Sequence, residues 1–181
     1  MTTNPMTTNR VPLVAAADLD DHLRTTIQER LGGRTDVPNL YRTLANAPAM
    51  LDAWLGFAWK LRNDATSARS TRELIILRIA QLLDAPYEWH HHLGMAAQAG
   101  VTQAQIDALA GWATSGEFGA LDRAALRMAE EQTVTGAASA EVVAELRALS
   151  NDEVTVELVL TAAFYNCVAR VLNSLGVPLE T

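Results

Sequence analysis

Helical periodicity constrains this chain more than any other feature of its sequence. From residue 18 onward, apolar residues recur at the three- and four-residue spacing of amphipathic helices, and no segment has the two-residue alternation of a strand. Alanine and leucine, which favour helices, contribute 31 and 24 residues, against 10 glycines and 6 prolines. The sequence therefore predicts an all-α fold with about nine helices. Their expected ranges are 18–31, 38–45, 48–62, 71–83, 86–99, 103–113, 120–133, 140–149 and 151–175.

Three of the predicted helix starts have a Ser or Thr followed three residues later by Glu or Gln, the pattern of a capping box. The pairs are Ser70 with Glu73, Thr102 with Gln105, and Ser150 with Glu153. Gly100 and Gly176 stand where the fifth and the last helix should end in a left-handed residue. No linker or change of composition divides the chain. We therefore expect a single domain over residues 18–181, preceded by a disordered segment over residues 1–17.

Charge and cysteine content narrow the classes of function. The net charge of the 181 residues is −7, and the 14 Lys and Arg are scattered, so no basic stripe is available to neutralise phosphates. Cys167 is the single cysteine and has no partner for an intramolecular disulfide. The longest weakly polar run, 158–169, is shorter than the ~20 residues of a spanning helix. We expect a cytoplasmic protein with no membrane segment and no nucleic-acid partner.

Two ionisable residues fall within the apolar stripe of the fifth predicted helix. Glu88 and His92 share that stripe with Trp89, and their i, i+4 spacing allows a hydrogen bond. Glu73 lies on the apolar side of the preceding helix. The short 84–85 link predicts that the two helices pack antiparallel, but it predicts no distance between Glu73 and His92. Buried carboxylate and imidazole groups must find partners or change their pKa values, so these three residues are candidates for proton transfer.

Each of these residues also has a purely structural explanation. Glu73 could serve only as the capping partner of Ser70, and Glu88 only as a favourable charge in the first turn of its helix. On the last helix, the pattern of Glu153, Glu157 and Arg170 is typical of a charged surface.

A metal site is the further alternative for the histidine-rich stretch 90–92. Glu88 and His91 form one Glu-x-x-His, but a di-iron bundle needs a second, and His22 has no Glu three residues before it. A single ion on Glu73, Glu88 and His92 stays open on the sequence alone.

Several stretches resemble the carboxymuconolactone decarboxylase family of the alkylhydroperoxidase-like superfamily. They are 72–78 (Arg-Glu-Leu-Ile-Ile-Leu-Arg), 87–92 (Tyr-Glu-Trp-His-His-His) and 99–102 (Ala-Gly-Val-Thr). The likeness continues through 38–44, 121–126, 164–166 and 171–173, so it covers nearly everything after about residue 36. The resemblance implies an alkylhydroperoxidase-like helical bundle, a homotrimer or trimer-based hexamer, and a pocket near the Glu, the Tyr-Glu-Trp and the His.

Within that superfamily, the chain resembles the branch without catalytic cysteines. The two cysteines of the peroxidase branch correspond to Ala85 and Glu88, so peroxidase chemistry with the chain's own thiols is not expected. The resemblance implies decarboxylation of a carboxylated lactone without metal or organic cofactor. In this interpretation His92 is the general acid, Glu88 orients it, and Glu73 is a second carboxylate, with burial moving their pKa values towards neutral. The residues expected to bind substrate are Tyr87, Trp89 and His91.

Three hypotheses follow for the function. The first is a cofactor-independent lyase or isomerase that acts on a small, anionic or carbonyl-bearing molecule. The second is an oxidoreductase that depends on a metal or on an external thiol. The third is a non-catalytic, oligomeric binding protein whose polar cluster only holds neighbouring helices together.

Overall fold

A computed structural model describes residues 9–33 and 36–180, and within these ranges the chain forms nine α-helices and no strand. The prediction of an all-α fold is confirmed. Two single turns of 3₁₀ helix occur at Ala16–Asp18 and Leu109–Gly111. The α-helices are α1 (Asp21–Arg30), α2 (Asn39–Leu44), α3 (Pro48–Asn63), α4 (Arg69–Leu82), α5 (Pro86–Gln98), α6 (Gln103–Ala108), α7 (Ala120–Thr135), α8 (Ala140–Leu149) and α9 (Asp152–Leu175).

The described residues group into two compact units. The first consists of the residues up to 63 together with those from 171 onward, and the second spans 64–170. The prediction of one domain over 18–181 stays a prediction. In the first unit, Leu23 and Ile27 of α1 and Leu51 and Leu55 of α3 are buried.

The N-terminal segment predicted to be disordered divides into two parts. Residues 1–8 lie outside the described residues. Residues 9–17 are hydrogen-bonded within the first unit: the Val14 and Arg42 backbones are joined at 3.1 Å, and Nδ2 of Asn46 donates to the carbonyl of Pro12 at 2.8 Å. The amide of Arg10 also donates to the carbonyl of Leu175 at 2.8 Å. In the structure, hydrogen bonds hold this stretch against the first unit, which its polar composition did not predict.

Helix α4 is the central element of the second unit. Nine of its 14 residues are buried, and it packs against both α5 and α7. Polar contacts join α4 to α7 at two levels: Oγ1 of Thr71 donates to Asp122 at 2.7 Å, and Nε of Arg78 donates to Glu130 at 2.6 Å. Because neighbouring helices cover α4 on several sides, some of its charged residues lie in the interior. The apolar core beside it contains Leu74, Leu77, Ala96, Val101, Leu109, Phe118 and Leu126.

The turn between α4 and α5 is tight and sets the register of the two helices. Asp84 has a positive φ of 47°, and the amide of Ala85 donates back to the carbonyl of Ala80 at 2.9 Å. Pro86 then occupies the first turn of α5, where its missing N–H costs no helical hydrogen bond. The short link thus turns the chain back along α4.

The helix ends confirm part of the capping prediction. Thr102 and Gln105 form the complete box that the sequence predicted. The box of Ser70 with Glu73 is wrong, because α4 begins one residue before Ser70. The box of Ser150 with Glu153 is also wrong: Asn151 caps α9 by accepting from the amide of Val154 at 2.9 Å. Gly100 and Gly176 have φ values of 91° and 63°, and they end α5 and α9 as predicted.

Helix α9 extends beyond the weakly polar run 158–169 at both ends. By length and composition alone it could cross a membrane, and half of its most apolar window is buried inside the structure. A core helix of a soluble protein has the same properties. The predicted absence of a membrane segment therefore stays a prediction.

Candidate active site

The ring of His92 lies between two carboxylates in the interior of the second unit. Its Nδ1 is 2.7 Å from Oε2 of Glu73, and its Nε2 is 3.0 Å from Oε1 of Glu88. All three side chains are at most 4% exposed. We call these residues the buried triad. The structure therefore brings together the three residues that the sequence selected as candidates for catalysis.

The backbone explains how the triad is assembled. Glu88 and His92 are one turn apart on α5, and Glu73 projects from α4. Glu73 contacts His92 while Arg69 contacts Met95, so residue numbers fall along α4 as they rise along α5. The two helices are therefore antiparallel, as the short link predicted. Because Glu73 is not a capping residue, its carboxylate is committed to this site.

Arg69 completes the cluster and was missed by the sequence reasoning. Its Nε donates to Oε1 of Glu73 at 2.7 Å, and its Nη2 contacts the same oxygen and Sδ of Met95. The Arg69 side chain is 30% exposed, whereas Glu73 is fully buried. The i, i+4 spacing of Arg69 and Glu73 is visible in the sequence and could have indicated the pair. Arg69 therefore connects the buried triad to the solvent side.

The start of α4 is held by a residue that the sequence assigned to the surface. Oε1 and Oε2 of Glu157 accept the backbone amides of Thr66 and Ser67 at 2.9 and 2.7 Å. The guanidinium of Arg72 in turn donates to Oγ of Ser67 at 2.8 Å. Glu157 is half-buried rather than fully exposed. Its carboxylate fixes the loop that leads into the helix carrying Glu73.

The two carboxylates favour the charged form of the His92 ring. A neutral imidazole donates from one nitrogen only, whereas the imidazolium donates from both and can satisfy two carboxylates at once. Burial opposes the charge on His92, but the adjacent Glu88 and Glu73 carboxylates outweigh it and raise the pKa of this histidine.

The pKa of Glu73 moves in the opposite direction to the one expected from burial. Burial alone would raise it, but hydrogen bonds and charge from His92 and Arg69 bring the pKa of Glu73 below its ordinary value. The expectation that burial moves every group in the site towards neutral is wrong for this carboxylate. Glu73 is an anion that fixes the histidine, and it is not a proton donor of its own.

Tyr165 packs edge-on against the triad. Its ring centroid is 5.1 Å from that of His92 with the rings nearly perpendicular, and the Phe164 ring packs in the same way on Tyr165. Tyr165 is buried and comes from α9, which is distant in sequence from α4 and α5. No local pattern relates residue 165 to residue 92, so sequence reasoning did not place it in the site.

The three residues expected to bind substrate have different surroundings. Tyr87 is buried, and its ring lies 4.3 Å from that of His91, which is half-buried. Trp89 packs against the apolar core. The structure thus pairs Tyr87 with His91, each one residue before a triad member on α5, while Trp89 has core contacts. Their roles in binding remain predictions.

The same geometry bears on the hypothesis that Glu73, Glu88 and His92 bind a metal ion. Across residues 9–33 and 36–180, no group of three or more His, Cys, Asp or Glu side chains is arranged to hold a metal ion. Both ring nitrogens of His92 are at hydrogen-bond distance from carboxylate oxygens, so in this arrangement neither nitrogen has a lone pair directed at an ion. The residues present do not fit a single-ion site in this conformation.

Residues 48–131 match the carboxymuconolactone decarboxylase family. This match contains α4, α5 and all three members of the buried triad. Over these residues the chain is similar to that family. The match agrees with the resemblance read from the sequence. No curated protein matches this chain with significance.

Solved structures with the same fold cover nearly the whole chain. A peroxidase-related protein of Ralstonia eutropha JMP134, an alkylhydroperoxidase AhpD core, is 21% identical with a TM-score of 0.82, over 98% of this chain and 94% of that one. A peroxidase-related protein of Silicibacter sp. TM1040 is 20% identical with a TM-score of 0.80, over 100% and 96%. The debrominase Bmp8 is 18% identical with a TM-score of 0.79, over 96% and 94%. At these identities the likeness establishes the fold.

Proposed function

We propose that this protein is a cofactor-independent acid/base lyase of the carboxymuconolactone decarboxylase type. Its substrate would be a small lactone or carbonyl-bearing, anionic molecule, and its reaction decarboxylation or a related proton transfer. The observation that carries the proposal is the ring of His92 held at hydrogen-bond distance from both Glu73 and Glu88 in a buried site. Such a cluster stores a proton out of contact with bulk water, where a positioned acid is most effective.

The geometry supports a different chemical role for each member of the triad. Glu73, kept ionised by Arg69 and His92, fixes the Nδ1–H of the ring. The Nε2–H points at Glu88. Because both nitrogens are engaged, we propose that the proton reaches the substrate through the Glu88 carboxyl and is replaced from Nε2. This modifies the interpretation from sequence, in which His92 was the general acid and Glu88 only oriented it.

The chemistry balances without another reactant. When the carbon–carbon bond to the carboxylate breaks, its electron pair enters the unsaturated lactone as a dienolate and carbon dioxide leaves. The dienolate takes one proton at carbon from the Glu88–His92 pair, and water restores that proton. The partly exposed guanidinium of Arg69 is a cation on the solvent side of the triad, which suits an anionic substrate.

The proposal is tested by comparing two triad variants with a matched carboxamide variant elsewhere. His92→Gln and Glu88→Gln should each lower the rate of carbon dioxide release from a carboxylated muconolactone by at least about a hundredfold, as expected for loss of a general acid. Glu130→Gln alters a carboxylate that binds Arg78 and Trp112 outside the triad, and it should retain most of the rate. Circular dichroism checks that all three variants are folded. Equal rates in the triad variants and in wild type would refute the proposal.

An oxidoreductase is the second candidate, because solved relatives include peroxidase-related proteins and a debrominase. A cysteine-to-alanine variant of that debrominase was crystallised with 2,3,4-tribromopyrrole. Here Cys167 is exposed on α9, and position 88 carries a carboxylate. An oxidoreductase would therefore need a metal or an external thiol.

Metal content separates the two candidates. In protein purified without a histidine tag, we expect iron, zinc and manganese well below one per chain by mass spectrometry, because the ring nitrogens of His92 are both engaged by carboxylates. Near-stoichiometric metal that disappears in His92→Gln would favour the oxidoreductase.

A further inference from the structure

Helix α9 contacts both segments of the chain that carry the buried triad. The carboxylate of Glu157 accepts the amides of Thr66 and Ser67, at 2.9 and 2.7 Å, in the loop before α4. Further along α9, the ring centroid of Tyr165 lies 5.1 Å from that of His92 on α5. A single helix is therefore tied to the start of one triad helix and packed against the histidine of the other.

The Tyr165 ring has little freedom to move. It is 2% exposed, and the ring of Phe164, itself buried, lies 5.5 Å away and nearly perpendicular to it. Aromatic pairs favour such arrangements, because the positive edge of one ring meets the negative face of the other. Close packing in a protein interior also leaves little space for either ring to turn aside. Tyr165 is thus a rigid surface beside the imidazole of His92.

The proposed proton transfer includes a stage at which the imidazole has lost one of its two anchors. While Nε2 carries a proton, hydrogen bonds to both Glu73 and Glu88 fix the ring. After that proton has passed through Glu88 to the substrate, Nε2 and the Glu88 carboxylate are two acceptors that face each other. A ring held at Nδ1 alone tends to turn away from the repelling carboxylate, which takes Nε2 out of line for the next proton.

Tyr165 differs from the charged groups around the ring. From α4 the imidazole faces Glu73, which is bound by Arg69, and from α5 it faces Glu88. Arg72, a further buried cation of α4, is held on the loop before that helix. The charged groups act through hydrogen bonds and charge, which change as the proton moves. The packing of the Tyr165 ring does not depend on the position of the proton.

We propose that Tyr165 is a positioning residue, whose ring keeps the imidazole of His92 aligned with Glu88 until Nε2 is reprotonated. Glu157 supports this role, because it fixes the same helix to the loop before α4. The inference rests on the proposed function for the step that it serves. The orientation of the neutral ring can nevertheless be measured without any substrate.

Two substitutions of Tyr165 separate the ring from its hydroxyl. Tyr165→Phe keeps the ring, so kcat for carbon dioxide release from a carboxylated muconolactone should stay within about twofold of wild type. Tyr165→Leu removes the ring, and kcat should fall about tenfold or more with KM nearly unchanged, because misalignment of a reacting group slows the chemical step.

The matched control is Tyr41→Leu, the same substitution at another buried tyrosine, on α2. It also removes an aromatic ring from the interior, and it should keep the wild-type kcat. Equal losses in Tyr165→Phe and Tyr165→Leu would assign the role to the phenol hydroxyl and overturn the inference. A wild-type kcat in Tyr165→Leu would overturn it as well.

Nitrogen-15 NMR of the histidine rings tests the orientation without substrate. The signals of His92 are those absent from His92→Gln. Above the folded-state pKa of His92, the neutral ring should be the Nδ1–H tautomer in wild type and in Tyr165→Phe, because Nδ1 donates to Glu73. In Tyr165→Leu we expect a mixture of tautomers, and an unchanged tautomer would overturn the inference. A wild type that released no carbon dioxide, together with a mixture in Tyr165→Leu, would refute the proposed reaction and support the positioning of the ring.

Glu157→Gln tests the support that α9 receives. A carboxamide has one acceptor oxygen where the carboxylate has two, so one of the amides of Thr66 and Ser67 loses its partner. We expect kcat to fall, but by less than in Tyr165→Leu. Glu131→Gln is the matched control, because Glu131 also accepts a loop amide, that of Ser139, at 2.7 Å. A loss of kcat as large in Glu131→Gln as in Glu157→Gln would contradict the specific role of Glu157.

Discussion

The protonation of His92 is controlled by residues on two helices, and this makes the charge of the site a property of the folded state. In the unfolded chain Glu73 and Glu88 no longer flank the ring, and the histidine has its ordinary affinity for protons. Folding therefore changes the affinity of both Glu73 and His92 for a proton. The two changes have opposite signs and define a range of pH.

The stabilisation that the triad provides should be greatest between about pH 4.5 and 6.5. The pKa of His92 is raised from 6.5, so its contribution is full below 6.5 and is lost as the pH rises through the folded-state pKa. The pKa of Glu73 is lowered from 4.5, so its contribution is full above 4.5 and is lost as the pH falls through the folded-state pKa. Urea unfolding of wild type and His92→Gln at a series of pH values measures the difference.

A control histidine makes that measurement specific. His22 is exposed and bonded to Asp52 at 3.1 Å, so His22→Gln should shift the free energy of unfolding little. A flat difference between wild type and His92→Gln across the pH range would contradict the charge state assigned to the triad.

Arg69 should act on the reaction through Glu73. Arg69→Met removes the guanidinium that helps to keep Glu73 ionised, so the pKa of Glu73 should rise and the acid limb of the rate–pH profile should move to higher pH. Arg69→Lys keeps a positive charge and should restore part of the wild-type profile. A loss of rate with no shift in the profile would indicate that Arg69 acts on substrate binding alone.

The site shows which contacts a sequence can predict. Glu88 and His92 lie on one helix, and their contact follows from a spacing of four residues. The contact of Glu73 with His92 depends on the register of two helices, which the sequence did not define. Tyr165 comes from a third helix, and nothing local relates it to the ring it packs against.

At the scale of elements, the α4–α5 turn decides whether the triad forms. Three residues separate the end of α4 from Pro86, and the positive φ of Asp84 is the unusual conformation within that link. A residue with a Cβ loses roughly 1–2 kcal/mol in the left-handed region, and Asn or Asp tolerates it better than others do. Most helix boundaries were predicted within three residues from periodicity, yet this backbone state was not.

Asp84→Val should therefore destabilise the protein, because a β-branched side chain suits the left-handed region poorly. We expect a loss of roughly 1–2 kcal/mol, which corresponds to about 2–8 °C in Tm for a chain of this length. Asp84→Asn, which tolerates the same backbone, should stay within about 2 °C of wild type in a scanning calorimetry experiment. Equal losses in both variants would show that the Asp84 carboxylate matters more than its φ.

At the scale of the whole molecule, the homo-oligomer that the resemblance implies would couple stability to protein concentration. Partners that bind only the folded chain stabilise it by mass action. The Tm of wild type should therefore rise by a few degrees over a hundredfold increase in concentration. A Tm of wild type that is independent of concentration down to nanomolar protein would argue against association in that range.

Within the buried triad, position 88 determines which chemical group lies beside the His92 ring. Position 88 stands one helical turn from His92, so whichever side chain occupies it faces the same imidazole. The resemblance read from the sequence aligns this position with a cysteine of the peroxidase branch. On that expectation, a change at residue 88 alone exchanges a thiol and a carboxylic acid beside the same imidazole.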